Sequence, residues 1–199
     1  MDAEPAAAQL PIPPISQVWQ PCFENAPPSW WVSLTRAIRA HSAAEFAAAR
    51  SHYQESLALK PSMPALRGLA MISAAEGDFD AAADGYRAAV ALDRQCRPLL
   101  VEAVDALVAA DRSATALDLI NAAPPEVAGH GRVVLQHVRT LLAAGDRAAA
   151  ARLLQQGIDV PDLREGESIE AIWRLACPGV ALPSRYDFRM HATAASPTR

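Results

Sequence analysis

The sequence lacks the features that identify the common enzyme classes and membrane proteins. It has no Gly-rich phosphate loop and no GxSxG, HExxH or CxxC motif, which argues against nucleotide-binding, serine-hydrolase and zinc-protease chemistry. No apolar run reaches the length of a transmembrane helix without a break. The first residues are acidic and Pro-rich where a signal peptide would be basic and then apolar, so we expect a cytoplasmic location.

Cysteine and positive charge are also scarce. Three cysteines at unrelated spacings predict neither a disulfide framework nor a zinc site. A net charge of −4 argues against a nucleic-acid partner. His130 and His137 share a predicted helix, but two turns place them roughly 10 Å apart, too far for one metal ion. We therefore expect no enzyme activity, cofactor or metal, and no nucleic-acid or membrane partner.

The stretch from Pro64 to Asp93 contains the clearest structural pattern. Apolar and small residues recur at three- and four-residue intervals on both sides of Glu76-Gly77-Asp78, which predicts two amphipathic helices joined by a tight turn. Gly77 can adopt the left-handed conformation that ends a helix, and Asp78 can cap the next one. The predicted inward-facing residues are Leu66, Leu69, Ala70 and Ser73 in the first helix, and Phe79, Ala82, Tyr86, Ala89 and Val90 in the second.

This hairpin pattern occurs four times. Ala49, Ala82, Ala116 and Ala150 follow one another at intervals of 33, 34 and 34 residues, and Ala44, Gly77, Asp111 and Gly145 fall at the corresponding turns. Phe46 and Tyr53 match Phe79 and Tyr86. The pattern resembles the tetratricopeptide repeat (TPR), a 34-residue helix–turn–helix with small residues at the helix contact. The match runs from Trp30 to Ile158, with Leu66 where the second copy would carry the motif's tryptophan.

The predicted fold is an all-α, right-handed α-solenoid of about four TPR-like hairpins with a C-terminal capping helix. The array takes residues 30–160, with Ser29 capping its first helix. A capping segment and helix take 161–177, with Ile169, Ile172, Trp173 and Ala176 facing inward. Residues 178–199 are predicted to be an irregular tail.

Residues 1–29 form a predicted leader that is extended or disordered, because they hold seven prolines. Three interpretations remain open. The leader is a solvated segment, or LPIPPISQVW covers apolar surface on the first helix, or the Pro-rich run is a ligand for an aromatic-lined groove.

The TPR resemblance implies a function in binding a protein or peptide partner. In TPR arrays the first helix of each repeat lines a concave groove, and no asparagine occupies the positions of the carboxylate clamp found in chaperone-binding members. A partner segment with both charges is expected, on a monomer or weak homodimer, although the leader itself is an alternative occupant. The positions implied to line the groove are Trp31, Leu34, Ile38, His41, Arg67, Met71, Val101, Glu102, Asp105, Arg132, Leu135 and Arg139.

A second resemblance rests on four short segments. PPSWW, RPLLVEAVDAL, HGRV and VPDLREGE together resemble the C-terminal repeat region of large bacterial proteins, common in actinobacteria. Those proteins carry an uncharacterised β-rich domain, thought to be carbohydrate-related, ahead of their repeats. The resemblance implies an alternative function as the helical accessory module of a carbohydrate-active system. Trp31 likewise has two interpretations, as a cover for the end of the array or as an anchor for a partner.

Overall fold

The structure is a computed structural model that describes residues 29–160 and 168–186, and these residues form helices joined by short turns. The chain divides into two compact units after Gly68, and each is described separately. The helices are α1 (Trp30–Ser42), α2 (Phe46–Leu59), α3 (Met63–Ala75), α4 (Phe79–Leu92), α5 (Arg97–Ala109), α6 (Ser113–Asn121), α7 (Pro125–Ala128), α8 (Gly131–Ala143), α9 (Arg147–Gln156) and α10 (Ile169–Ala176), followed by a 3-10 turn at Ser184–Tyr186.

The first unit contains the α1/α2 hairpin and the start of α3. Ser29 caps α1 as predicted, since its Oγ accepts from the Val32 N–H at 3.2 Å. Ser56 Oγ on α2 donates to the Trp30 carbonyl at 2.8 Å and ties the helices together at their open end. On α3, a Cβ added to Gly68 would lie 2.2 Å from the ring of Tyr53. Glycine is therefore required there for α3 to approach α2.

The second unit contains the rest of α3 and all later helices. Helix α5 packs against α4 and α6, and α8 packs against α5, α6 and α9. The approach of α4 to α3 is again close, because a Cβ on Gly85 would lie 3.0 Å from that of Ala70. The short helix α7 lies between the third and fourth hairpins.

All four predicted turns share one hydrogen-bond geometry. Ala44, Gly77, Asp111 and Gly145 have φ values of 59°, 82°, 57° and 82°. Each donates its N–H to the carbonyl three residues earlier, at 2.9–3.1 Å, and the next N–H donates to the carbonyl five residues earlier, at 2.8–2.9 Å. This is the Schellman arrangement that ends helices. It confirms the register assigned to the four copies.

The caps that follow these turns differ between copies. Asp78 and Asp146 accept from the N–H groups of Ala81 and Ala149 at 3.0 and 2.9 Å. Glu45 and Arg112 occupy the same place in the other two copies and make no side-chain cap. The second and fourth hairpins therefore have a capped second helix that the first and third lack.

The alanines used to align the copies are all inaccessible to solvent. Ala49, Ala82, Ala116 and Ala150 are each 0% exposed. Tyr53, Tyr86, Ile120 and Leu154, four residues further along, are buried as well. Phe79 departs from the prediction, because it is 46% exposed instead of packed inside. The equivalent Phe46 is half-buried and meets the ring of His41 edge-on, whereas the second copy has the small Ala74 in the place of His41.

The predicted capping helix is present and covers a core made with α8 and α9. Ile169, Ile172, Trp173 and Ala176 are buried in one cluster with residues of these helices. Ser168 caps α10 by accepting from the Ala171 N–H at 3.1 Å. The predicted capping segment also includes residues 161–167, which lie outside the described residues.

Residues 178–186 include side chains that bond to the end of α9, and residues 187–199 of the predicted tail lie outside the described residues. The buried Tyr186 hydroxyl donates to the Leu154 carbonyl and accepts from the Ile158 N–H, both at 2.7 Å. Arg185 donates to the Gln155 carbonyl at 2.6 Å. These bonds satisfy carbonyl groups at the end of α9 that a helix leaves without internal partners.

The turn geometry predicts opposite effects for two adjacent alanines. Ala44→Gly should raise the free energy of unfolding by about 0.5–1 kcal/mol, because only glycine adopts a positive φ without steric cost. Ala43→Gly should lower it by a similar amount, since Ala43 has an ordinary φ of −85°. Urea unfolding at constant m-value measures both. Equal effects of the two substitutions would contradict the left-handed turn.

The alanine contact predicts a second matched pair, on α6. Ala116→Leu should destabilise the protein by about 1–3 kcal/mol, because the buried site has no room for a larger side chain. Ala114→Leu adds the same atoms to an exposed position two residues earlier and should change stability by less than about 0.5 kcal/mol. Thermal unfolding measures the Tm of both variants. A Tm for Ala116→Leu equal to that of Ala114→Leu would contradict the register of the repeats.

Candidate functional site

Helix α1 presents two large apolar side chains to solvent. Trp31 is 57% exposed and Ile38 is 48% exposed. Seven residues on an α-helix make almost two full turns, so the two side chains lie on one face roughly 10 Å apart. Both were predicted to line the groove, and both are available for contact.

The two adjacent tryptophans have different surroundings. Trp30 is half-buried, and Lys60, which follows the last residue of α2, holds its ammonium group 4.6 Å from the ring centroid. The Trp31 ring meets Trp30 edge-on, with centroids 5.8 Å apart, and otherwise faces outward. Trp30 therefore packs within the first hairpin, while Trp31 keeps most of its surface for another contact.

His41 lies on the same side of α1 and is tied to α2. Its Nδ1 lies 3.3 Å from the Tyr53 hydroxyl, and its ring meets Phe46 and Tyr53 edge-on. Burial raises the pKa of Tyr53, and the charge of Arg67 opposes that shift in part. The hydroxyl thus stays protonated at neutral pH and can serve His41 as a hydrogen-bond donor or acceptor.

Helices α5 and α8 form the corresponding face of the second unit. Asp105 is exposed, and Val101, Glu102, Arg132 and Arg139 are half-buried. Gln136 of α8 donates its side-chain N–H to the Asp105 carboxylate and joins the two helices. None of the four charged side chains is without an interaction inside the protein. A partner on this face would meet charges that are already engaged.

Two predicted groove residues are wrong as surface contacts. Leu34 is 2% exposed and Leu135 is 0% exposed, so neither offers an area to a partner. The two occupy the same place in their repeats. In α1 this place is three residues after Trp31, about 60° around the helix and toward the core. A leucine there lowers the free energy by burying its apolar surface.

The remaining predicted positions lie on α3, which crosses the boundary between the units. Arg67 belongs to the first unit and Met71 to the second, and both are half-buried. Sequence analysis missed Gln136, which occupies a groove position by register and is buried beside Thr140. The Thr140 hydroxyl donates to the Gln136 carbonyl at 2.9 Å. The sequence signal that could have identified Gln136 is a polar side chain at a register position assigned to the groove.

A cleft of about 430 Å³ lies between α1 and α2, on a different face from Trp31 and Ile38. Arg36 and Arg39 of α1 provide its positive charge, and Glu45 and His52 also line it. Ala40, Ala43 and Ala48 leave room between them because their side chains are small. Sequence analysis did not predict this cleft, although the density of basic residues in this part of the chain was visible.

No catalytic or metal centre is evident in the part of the chain that the structure describes. There, no group of three or more His, Cys, Asp or Glu side chains could hold a metal ion. Burial lowers the pKa of His137, which favours its neutral form among the side chains of α8. Within the same residues, no helix is both long enough and apolar enough to cross a membrane.

Comparison with known proteins identifies no family. No family model matches the sequence, and no curated protein matches it. Among solved structures, the chain is similar to a tetratricopeptide repeat protein from Parabacteroides merdae ATCC 43184, with 14% sequence identity and a TM-score of 0.45. The alignment covers 80% of this chain and 61% of that one, so this chain spans less than two thirds of that protein. A likeness at this level transfers no function.

Proposed function

We propose that the chain is a non-catalytic helical-repeat scaffold that binds a protein or peptide through the outward faces of its first helices. The observation that carries this proposal is the exposure of Trp31 and Ile38 on one face of α1. Large apolar side chains on a stable helix lose free energy when a partner covers them, and tryptophan is enriched among residues that dominate binding.

The spacing of these two side chains defines the kind of segment that fits. Two contacts roughly 10 Å apart match side chains three residues apart in a polyproline II segment or seven apart in a helix, since both pairs share one face. His41 adds a polar contact beside them. Its Nδ1 lies near the Tyr53 hydroxyl, so Nε2 is the ring nitrogen that we propose contacts the partner. The partner segment therefore carries two apolar anchors with a polar group nearby.

The α5/α8 face supports the same function in a different way. This face carries both acidic and basic side chains together with the half-buried Val101. Because these charges already have interactions inside the protein, they disfavour a mismatched partner more than they add affinity.

The proposal is tested by selecting peptides on the full chain from a random phage-displayed library and measuring the affinity of the enriched peptides. Trp31→Ala should weaken binding at least tenfold, which corresponds to about 1.4 kcal/mol, with a smaller loss for Ile38→Ala. Leu59→Ala and Leu92→Ala are matched controls, because these leucines are 56% and 52% exposed but lie on second helices. They should bind as the original chain does.

Two results would contradict the proposal. One is that no peptide is enriched over an unrelated protein of similar charge. The other is that enriched peptides bind Trp31→Ala unchanged and lose affinity in the leucine controls, which would move the site to the second helices.

A further inference from the structure

Helix α1 presents a straight row of side chains on its outer side. Trp31, Thr35, Ile38 and Ser42 follow one another at intervals of four, three and four residues. At 100° per residue, these positions fall within about 60° of one another around the helix. Trp31, Ile38 and Ser42 are exposed, and Thr35 is half-buried. This row, the α1 seam, runs roughly 16 Å along the helix axis.

The α1 seam offers mostly apolar surface at the spacing of packed helices. The Thr35 hydroxyl donates to the Trp31 carbonyl at 2.9 Å, so its hydrogen bond is made within α1. Thr35 can therefore lie under an apolar contact between Trp31 and Ile38 without losing a hydrogen bond to water. Intervals of four and three residues average 3.5, which is the repeat that keeps two helices in contact along one line.

We propose that the α1 seam binds an amphipathic helix of a partner protein, which packs along α1 through its own heptad-spaced apolar residues. This inference rests on the proposed function and names the class of partner for the same two anchors, Trp31 and Ile38. A segment that covers the seam loses water from its backbone, and the backbone groups of α1 are already bonded to one another. A helix satisfies its own N–H and C=O groups, whereas an extended segment does not.

The exposed area fits a short segment better than a second folded copy of the chain. Trp31 is 57% exposed and Ile38 is 48% exposed. Since an aromatic side chain buries about 150–250 Å², the two anchors together offer on the order of 200 Å². A stable interface between folded proteins buries about 800 Å² on each side. A helix of about three turns, in contrast, spans the whole seam.

Positive charge lies at both ends of the α1 seam. Lys60 holds its ammonium group against the Trp30 ring, which meets Trp31 edge-on. Arg39 is exposed and follows Ile38 directly in the chain. Within the described part of the chain, no carboxylate lies within ion-pair distance of Lys60 or Arg39.

Other charges nearby reduce this positive field without reversing it. Arg36 already has an interaction, and Glu45 lines the cleft beside Arg39, but α1 itself contains no Asp or Glu. Charge therefore contributes less to binding than the apolar seam does. Acidic residues beside the apolar stripe of the partner helix complement Arg39 and Lys60, and a basic helix is disfavoured.

The test uses the full chain and peptides of about 16 residues, or four to five helical turns, enriched on it from a random phage-displayed library. The enriched peptides should share apolar residues seven positions apart, with a third one three or four positions along and Asp or Glu beside them. Chemical shifts of an isotope-labelled peptide in the complex should report a helix across the anchors.

A matched pair of peptide substitutions separates a helix from an extended segment. Proline midway between the two apolar anchors should weaken binding at least tenfold, because proline breaks the interior of a helix. Alanine at the same position should leave the affinity unchanged. A polyproline II segment would tolerate the proline.

Charge exchange tests the acidic character of the partner. Arg39→Glu should weaken binding about threefold to tenfold at low salt, and a peptide with Lys in place of its acidic residues should bind this variant better than the original chain. That exchange of preference also shows that the variant is folded. Arg152→Glu changes an exposed charge on α9 and should bind as the original chain does. Unchanged binding in Arg39→Glu would overturn the acidic character.

The remaining outcomes separate this inference from the proposed function. If the peptides need Trp31 but bind in an extended form and tolerate the proline, the seam binds a peptide and the helical partner is wrong. If analytical ultracentrifugation shows a dimer that Trp31→Ala dissociates, a second copy occupies the seam instead. If no peptide is enriched, the proposed function and this inference fail together.

Discussion

The structure depends on one repeated constraint, which is the contact of two helices at a residue with no space for more than a methyl group. Four alanines at equivalent positions are completely buried, and each lies five residues after a left-handed turn residue. The turn fixes where the second helix begins, and the alanine fixes how closely it approaches. Together they set the orientation of each hairpin, and hence which side of each first helix remains outside.

The same constraint separates three faces of α1. One face carries Leu34 and Ala37 into the core. A second presents Trp31 and Ile38, and a third forms the basic wall of the cleft with Arg36 and Arg39. A single helix can therefore pack into the core while two further faces of it carry different side chains. This separation follows from the 100° rotation between successive residues.

Local features were predictable because each depends on a few adjacent residues. Positive φ at Gly77 and capping by Ser29 and Asp78 follow from residue type and position. The turns at Ala44 and Asp111 were found only by alignment to the other copies. Repetition thus identified Ala44, whose own conformational preference opposes the left-handed φ that it adopts, and Asp111, whose residue type adopts that φ only occasionally.

The errors arose where a side chain's surroundings depend on distant parts of the chain. Phe79 was expected inside and is exposed, since the second copy has Ala74 where His41 covers the equivalent Phe46 in the first copy. Leu34 and Leu135 were placed in the groove by register, but helix packing draws them into the core. Tyr186 forms hydrogen bonds with residues about 30 positions earlier, and no local pattern reveals such a contact. The cleft likewise requires two helices to be seen together.

The central claim is that the four hairpins share one turn geometry, and solution NMR tests it most directly. Scalar couplings through hydrogen bonds report whether the N–H groups of Glu45, Asp78, Arg112 and Asp146 donate to the carbonyls five residues earlier. The account predicts a measurable coupling at all four, with left-handed φ values at the residues before them. Couplings at Asp78 and Asp146 alone, with ordinary negative φ at Ala44 and Asp111, would contradict it.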